Sequence, residues 1–218
     1  MAVTDAHCHK ADGESRFFLC SPFALPMPPN AVVFHGTHPW YLDDFDEARL
    51  RERLSSDRAA GVGEIGLDRL RDRNISPRMR EVFERQLEVA AEFGRPVVLH
   101  GAKCWGEVVK ACKPYEGRIP AFLFHGFSRS DGLLPDIVAM NGFVSIGPAL
   151  LNDHAVNYRE LAKKIPLDRL LVESDRTEEN FAEVPSVDEI AAKLAELRSL
   201  AFDELSAALE ANATCFVS

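Results

Sequence analysis

The chain has 218 residues, 46% of them hydrophobic and 27% charged, with 34 acidic against 25 basic side chains and a net charge of −9. This composition excludes a disordered chain, and the negative sum argues against a duplex-coating or basic membrane-surface protein, while leaving a local basic patch for a polyanion open. The length suits one domain over residues 1–218 that builds its core without disulfides or a structural metal.

From the N-terminus, Ala2 to Ala6 reads as a short strand leading into Asp5, His7 and His9. Phe17 to Cys20 (FFLC) can form a strand, but only seven residues, Lys10 to Arg16, separate it from His9, too few for a helical crossover. Ala31 to Phe34 is a strand ending at His35, Gly36, Thr37 and His38, followed by helical spacing from Asp43 to Ser56. Gly61 to Ile65 is the next strand, running into Gly66, Leu67 and Asp68. Pro77 opens a helix through Phe93 that Gly94 closes, and Pro96 to His100 is again a strand. A helix over Glu107 to Cys112 precedes the strand AFLFH, which ends at His125. A helix near Leu133 to Met140, the strand Gly142 to Ile146, a helix from Asn157 to Lys164 and the segment DRLLVES leading to Asp175 follow, with two helices after Ser186.

Short apolar strands alternating with helices predict a parallel sheet whose crossovers are helical. Histidines and carboxylates terminate at least five different strands. A TIM-type (β/α)8 barrel accounts for this better than a doubly wound sheet, because all barrel strands end around one mouth. His7 and His9 are two apart and share a strand face, together with Asp5, while Cys8 points away. Imidazole pairs of this kind, with Asp or Glu oxygen, suit a divalent metal. Glu64 in GVGEIG, His100, His125 and Asp175 are the other strand-end ligand candidates, with Glu173 as an alternative to Asp175 or its support. A histidine at such a place can equally be a hydrogen-bonded core residue.

In this order, DxHxH, GxHP, GEIGLD, LH, HGFS, VSIG and LDRLLVESD resemble the TatD family of metal-dependent hydrolases, and ANATCF resembles that family's terminal Asn and Phe element at Asn212 and Phe216. The resemblance implies a deoxyribonuclease or other phosphodiester hydrolase using two divalent cations, with zinc, magnesium and manganese all open. It implies His7, His9 and Asp175 around one cation, His100 and His125 around the other, and Glu64 bridging them. Asp175 is then the general base and Asp5 an orienting group. Glu64 and Asp175 together with His38, a candidate contact for phosphate or leaving group, are the catalytic candidates. Lys103, Arg129 and Arg176, with Arg69, are the candidate phosphate rim, and Trp40 and Trp105 candidate stacking surfaces.

The departures lie at the start. Only 21 residues, Lys10 to Asn30, stand where the family places a helix, a strand and a second helix, so the first crossover is expected to be shortened or distorted and the barrel incomplete there, with Phe17, Phe18 and Phe23 either filling the gap or walling the substrate. DNA or a short nucleotide is the expected substrate. An ester, lactone or amide hydrolase, or a metal-binding scaffold without turnover, is the alternative. Five cysteines without paired spacing, no signal-like N-terminus and no apolar span lead to the expectation of a cytoplasmic protein without membrane association, most simply a monomer.

Overall fold

The computed structural model describes residues 3–10, 16–20, 30–58, 60–128 and 131–218. Eight parallel strands follow one another around a single sheet in chain order. They are β1 (Asp5–Cys8), β2 (Phe17–Cys20), β3 (Ala31–His35), β4 (Gly61–Asp68), β5 (Val97–Ala102), β6 (Phe122–Phe124), β7 (Gly142–Ile146) and β8 (Leu170–Val172). The sheet closes where β1 meets the end of β8: Asp175 N–H donates to the His7 carbonyl at 3.0 Å, and His9 N–H to the Arg176 carbonyl at 2.8 Å. The result is a TIM-type (β/α)8 barrel.

The helices are α1 (Glu47–Ser56), α2 (Pro77–Phe93), α3 (Trp105–Cys112), α4 (Leu134–Ala139), α5 (Val156–Lys164), α6 (Val187–Arg198) and α7 (Phe202–Phe216). Local chemistry sets their ends. Ser76 caps α2 by accepting from Met79 N–H, Pro77 takes the first turn where its missing N–H costs nothing, and Gly94 ends the helix at φ +59°. Ser186 and Glu189 form a reciprocal capping box on α6. Among the described residues no helix is long and apolar enough to cross a membrane.

The barrel wall is complete in strands, which corrects the expectation of an incomplete barrel. FFLC is β2, paired in register with β3 from Phe17↔Ala31 to Cys20↔Phe34. What is shortened is the helical layer, since among the described residues no helix stands between β1 and β2 or between β2 and β3. The alternation of β2 explains its two phenylalanines. Phe18 points into the barrel interior with Phe34, Leu123, Phe143 and Leu171, and Phe17 points outward with Cys8 and Leu19. Phe23 lies outside the described residues. The first strand starts later than the sequence suggested, at Asp5, and runs through His7.

The C-terminal helix plugs the bottom of the barrel. Phe216 stacks on Phe34 with centroids 5.8 Å apart and meets Phe18 and Phe143 at 5.6 and 5.8 Å. Asn212 Nδ2 donates to the Leu167 and Leu170 carbonyls at 2.7 and 2.8 Å, fixing α7 to β8. A second, larger apolar layer lies between the sheet and the helices, including Leu54, Phe83, Leu87, Val109, Ile137 and Leu194. Polar side chains therefore find room at the other end of the barrel, where the strands terminate.

Candidate metal centre

All six sequence-derived ligand candidates converge at the C-terminal ends of the strands. His7 lies in β1 and His9 just past it, Glu64 in β4, His100 in β5, His125 directly after β6, and Asp175 three residues after β8 at φ +51°. The glycines around Glu64 serve close packing. A Cβ on Gly63 would sit 2.8 Å from the Val98 side chain, and one on Gly66 would fall 2.0 Å from the His100 carbonyl oxygen. β4 and β5 therefore approach closely and carry Glu64 and His100 to each other.

Glu64 is the centre of the cluster and its two oxygens face different groups. Oε2 lies 3.5 Å from His7 Nε2 and 3.3 Å from His9 Nε2. Oε1 lies 2.7 Å from His100 Nδ1, 2.6 Å from His125 Nε2 and 3.6 Å from His38 Nε2. Asp175 Oδ1 stands on the Oε2 side, 3.5 Å from His7 Nε2 and 3.7 Å from His9 Nε2.

The residues fit divalent cations. His7, His9 and Asp175, and separately His38, Glu64 and His100, each offer ligand atoms within 4.8 Å of one another; His7, Glu64 and His125 form a third such group. His7 is fully buried, yet neither ring nitrogen has a hydrogen-bond partner among the described residues. An unpaired buried imidazole costs free energy that a cation would recover. Neutral imidazoles with carboxylate oxygens are the donor set of zinc or manganese sites.

Electrostatics divide the histidines of the cluster. Burial and the neighbouring His125 lower the His7 pKa, leaving a neutral ligand. Burial alone would depress His125, His100 and His9, but facing carboxylates outweigh it and raise all three, His125 most. Burial likewise would raise Glu64, yet the surrounding histidines hold it well below the usual carboxylate range. Asp175 is also lowered, with His7 overcoming the effect of burial, so both carboxylates stand ionised.

Other side chains hold these in place. His9 Nδ1 lies 2.6 Å from the Cys20 carbonyl and His100 Nε2 2.8 Å from Asp68 Oδ2. Glu173 takes Gly126 N–H at 2.7 Å and the Ser145 hydroxyl, so its carboxylate braces the strand ends of β6 and β7. Asp5 accepts from Ser174 N–H and Oγ at 2.9 and 2.5 Å, tying the β1 and β8 ends together. Buried Gln86 pins the loop after β3 by pairing with both backbone groups of Thr37, at 2.6 and 3.1 Å. His38 follows directly. Its Nδ1 accepts from Trp40 N–H at 3.1 Å, and burial pushes its pKa down to about 4, so the ring is neutral with its proton on Nε2, toward the cluster.

The cluster floors a cavity of about 670 Å3 whose walls include Trp40, Tyr41, Arg49 and Arg53. Trp40 and Tyr41 are exposed, whereas Trp105 is buried against Phe124 and Phe127. Lys103 and Arg176 do not line this cavity. Arg176 instead directs its guanidinium to the Val184 carbonyl and over the Phe181 ring, and Arg69 pairs with Glu107. Arg129 lies outside the described residues. Sequence reasoning missed Asp68, Arg49 and Arg53. Asp68 was within reach through its i, i+4 spacing from Glu64 on one strand face, and the two arginines through their i, i+4 spacing on α1.

The TatD related DNase family profile matches residues 23–218. The chain belongs to this family. His7 and His9 precede the matched span, so their place in the site rests on geometry. This TatD-family chain is 27% identical over 192 residues to the uncharacterized metal-dependent hydrolase YabD of Bacillus subtilis, covering 84% of the chain and 74% of YabD. It is 29% identical over 142 residues to the 3'-5' ssDNA/RNA exonuclease TatD of Edwardsiella piscicida, covering 65% of the chain and 54% of that relative, so it spans little more than half of the exonuclease's length. Among solved structures, the TatD homolog YjjV of Escherichia coli superposes with a TM-score of 0.83 at 24% identity, covering 98% and 97% of the two chains. At that identity the likeness speaks for the fold. Family membership and the clustered ligands together make the protein a metal-dependent hydrolase in class.

Proposed function

We propose that this TatD-family protein hydrolyses phosphodiester bonds, acting on DNA ends or short nucleotides with two divalent cations. The observation that carries the reading is the division of Glu64: one oxygen faces His7 and His9, the other His100 and His125. The name of the Edwardsiella exonuclease supports the substrate class. Bound divalent cations supply a Lewis acid for the phosphoryl oxygens and lower the pKa of the attacking water.

The protein's own groups do the rest. Asp175, ionised and open to the cavity, accepts the proton of the attacking water. His38 donates from Nε2 to a phosphoryl oxygen or the leaving group. Trp40 and Tyr41 at the rim offer aromatic faces for bases, and Arg49 and Arg53 offer charge for phosphates further along the strand. Lys103 and Arg176 are not assigned to substrate, because neither lines the cavity. The five cysteines are free thiols, which agrees with a cytoplasmic setting.

The test is turnover of single-stranded DNA, RNA, dinucleotides, lactones and amides by the wild-type protein and His7→Ala, each loaded with zinc, magnesium or manganese. Metal-dependent release of nucleotides that vanishes in His7→Ala supports the proposal. Turnover of lactone or amide alone overturns the substrate class, and metal binding without any turnover favours a scaffold.

A further inference from the structure

We propose that Asp68 is the positioning residue of the cation subsite on the Oε1 side of Glu64, that it makes His100 ligate through Nδ1, and that Trp40 locks it. This rests on the two-cation reading above. The two halves of the cluster hold their histidines differently. On the Oε2 side, His9 has its Nδ1 held by a neutral acceptor, the Cys20 carbonyl, at 2.6 Å and turns Nε2 to the site. On the Oε1 side, His100 is reversed. Its Nε2 lies 2.8 Å from Asp68 Oδ2, and Nδ1 faces Glu64 Oε1 at 2.7 Å. A histidine has only these two nitrogens, so the partner of one decides which is left to bind metal.

Asp68 is unable to swing into the site and act as a ligand itself. It is fully buried, and each of its oxygens has two partners. Oδ1 accepts Leu70 N–H at 2.5 Å and Arg71 N–H at 3.2 Å, and Oδ2 takes His100 Nε2 and the Trp40 indole N–H at 2.8 and 2.9 Å. Three chain segments, the loop after β3, the end of β4 and β5, thus fix one carboxylate. A carboxylate behind an imidazole fixes the ring and raises the basicity of its free nitrogen, whereas a carbonyl does so less. The neighbouring ligand, His125, is backed less closely: its Nδ1 has no hydrogen-bond partner among the described residues, and the Glu173 carboxylate oxygen facing it is 3.7 Å away. The order of this subsite therefore depends on Asp68. Because Trp40 is 43% exposed, lines the cavity and shares Oδ2 with His100, its indole also reports on that subsite.

The experiment is calorimetric titration of the metal-free protein with manganese alone, with bound metal counted by elemental analysis, for wild type, Asp68→Asn, Trp40→Phe and His125→Ala. The wild type is expected to take two equivalents. Asp68→Asn is expected to weaken one of them about 10- to 100-fold and leave the other within about twofold, and the equivalent affected is the one His125→Ala removes. Trp40→Phe, which keeps the ring and loses the N–H, weakens the same equivalent less. In Trp105→Phe, where Trp40 is the remaining tryptophan, emission changes with the equivalent that Asp68→Asn and His125→Ala affect. One equivalent in the wild type, unchanged affinities in Asp68→Asn, or equal loss of both equivalents overturns the proposal. If Asp68→Asn does not fold, Trp40→Phe and the Trp105→Phe emission decide it by the same criteria. Absence of nucleotide turnover would overturn the proposed substrate and leave this metal result standing.

Discussion

Ser174 donates to Asp5 twice across the barrel seam, from its backbone N–H at 2.9 Å and its hydroxyl at 2.5 Å. One residue further along, Asp175 N–H donates to the His7 carbonyl, so the same seam places a carboxylate of the site against a histidine of the site. Asp5 Oδ1 also accepts from the His7 N–H at 3.3 Å, and burial pushes its carboxyl up to about 7 against the pull of the Ser174 bonds.

Ser174→Ala leaves Asp5 Oδ2 buried without its donor, which costs about 1–3 kcal/mol. The expected result is a lower thermal midpoint for the metal-free protein and weaker metal binding at the His7, His9 and Asp175 side, measured by calorimetry and manganese titration. An unchanged midpoint would show that the seam is held by its backbone bonds alone.

Gly66→Ala tests the close approach of β4 and β5. The added Cβ would fall 2.0 Å from the His100 carbonyl oxygen, a backbone atom that has no flexible end to give way, and Gly66 has φ +153°. The expected cost is about 2–4 kcal/mol, with loss of metal binding on the His100 side in whatever fraction folds. Denaturant unfolding and metal counting check it.

Metal binding should release protons and tighten as pH rises. Facing carboxylates hold His125, His100 and His9 above the ordinary imidazole pKa in the metal-free protein, despite burial. Their charged forms thus persist toward neutral pH, while a ligating imidazole must be neutral. Each proton lost on binding makes affinity increase with pH until those raised pKa values are passed, and acidification reverses it. Titration in buffers of different ionisation enthalpy should show net proton release on metal binding. Heats independent of the buffer would contradict the assignment of these histidines as ligands.

Arg49→Ala and Arg53→Ala should weaken binding of a single-stranded oligonucleotide and flatten its salt dependence, by about 0.7 in log–log slope for each lost phosphate contact. Lys103→Ala should leave both within error, since Lys103 stands outside the cavity that the two arginines line. Fluorescence anisotropy across a salt series, with a hydrolysis-resistant phosphorothioate oligonucleotide and the metal-loaded protein, separates the outcomes.

The convergence of the strand-end candidates was legible because a parallel barrel brings every strand terminus to one mouth, so HxH, GEIG, VVLH, FLFH and LLVESD could be read together without knowing the packing. The helix from Pro77 to Phe93 was legible from its opening proline and closing glycine, and the structure has it at those residues. The first strands were harder. FFLC carries no polar end and no helical crossover, and only its pairing with β3 reveals it as barrel wall. Asp68 escaped weighting, and Glu173 was weighed only as an alternative to Asp175 or its support, because their roles depend on what stands behind a strand end, His100 for one and the Gly126 and Ser145 corner for the other. The rim was harder to read for a similar reason: charge near a strand end says nothing about direction, and Arg176 turns to Val184 while Arg49 and Arg53 line the cavity from a helix.

The central claim is that Glu64 divides the cluster into two cation subsites. Anomalous diffraction from manganese-soaked crystals of the wild-type protein and Glu64→Gln tests it most directly. The account predicts two peaks in the wild type, one beside Oε2 among His7, His9 and Asp175 and one beside Oε1 between His100 and His125, both lost or depleted in Glu64→Gln. A single peak, or peaks away from Glu64 that survive its substitution, would contradict it.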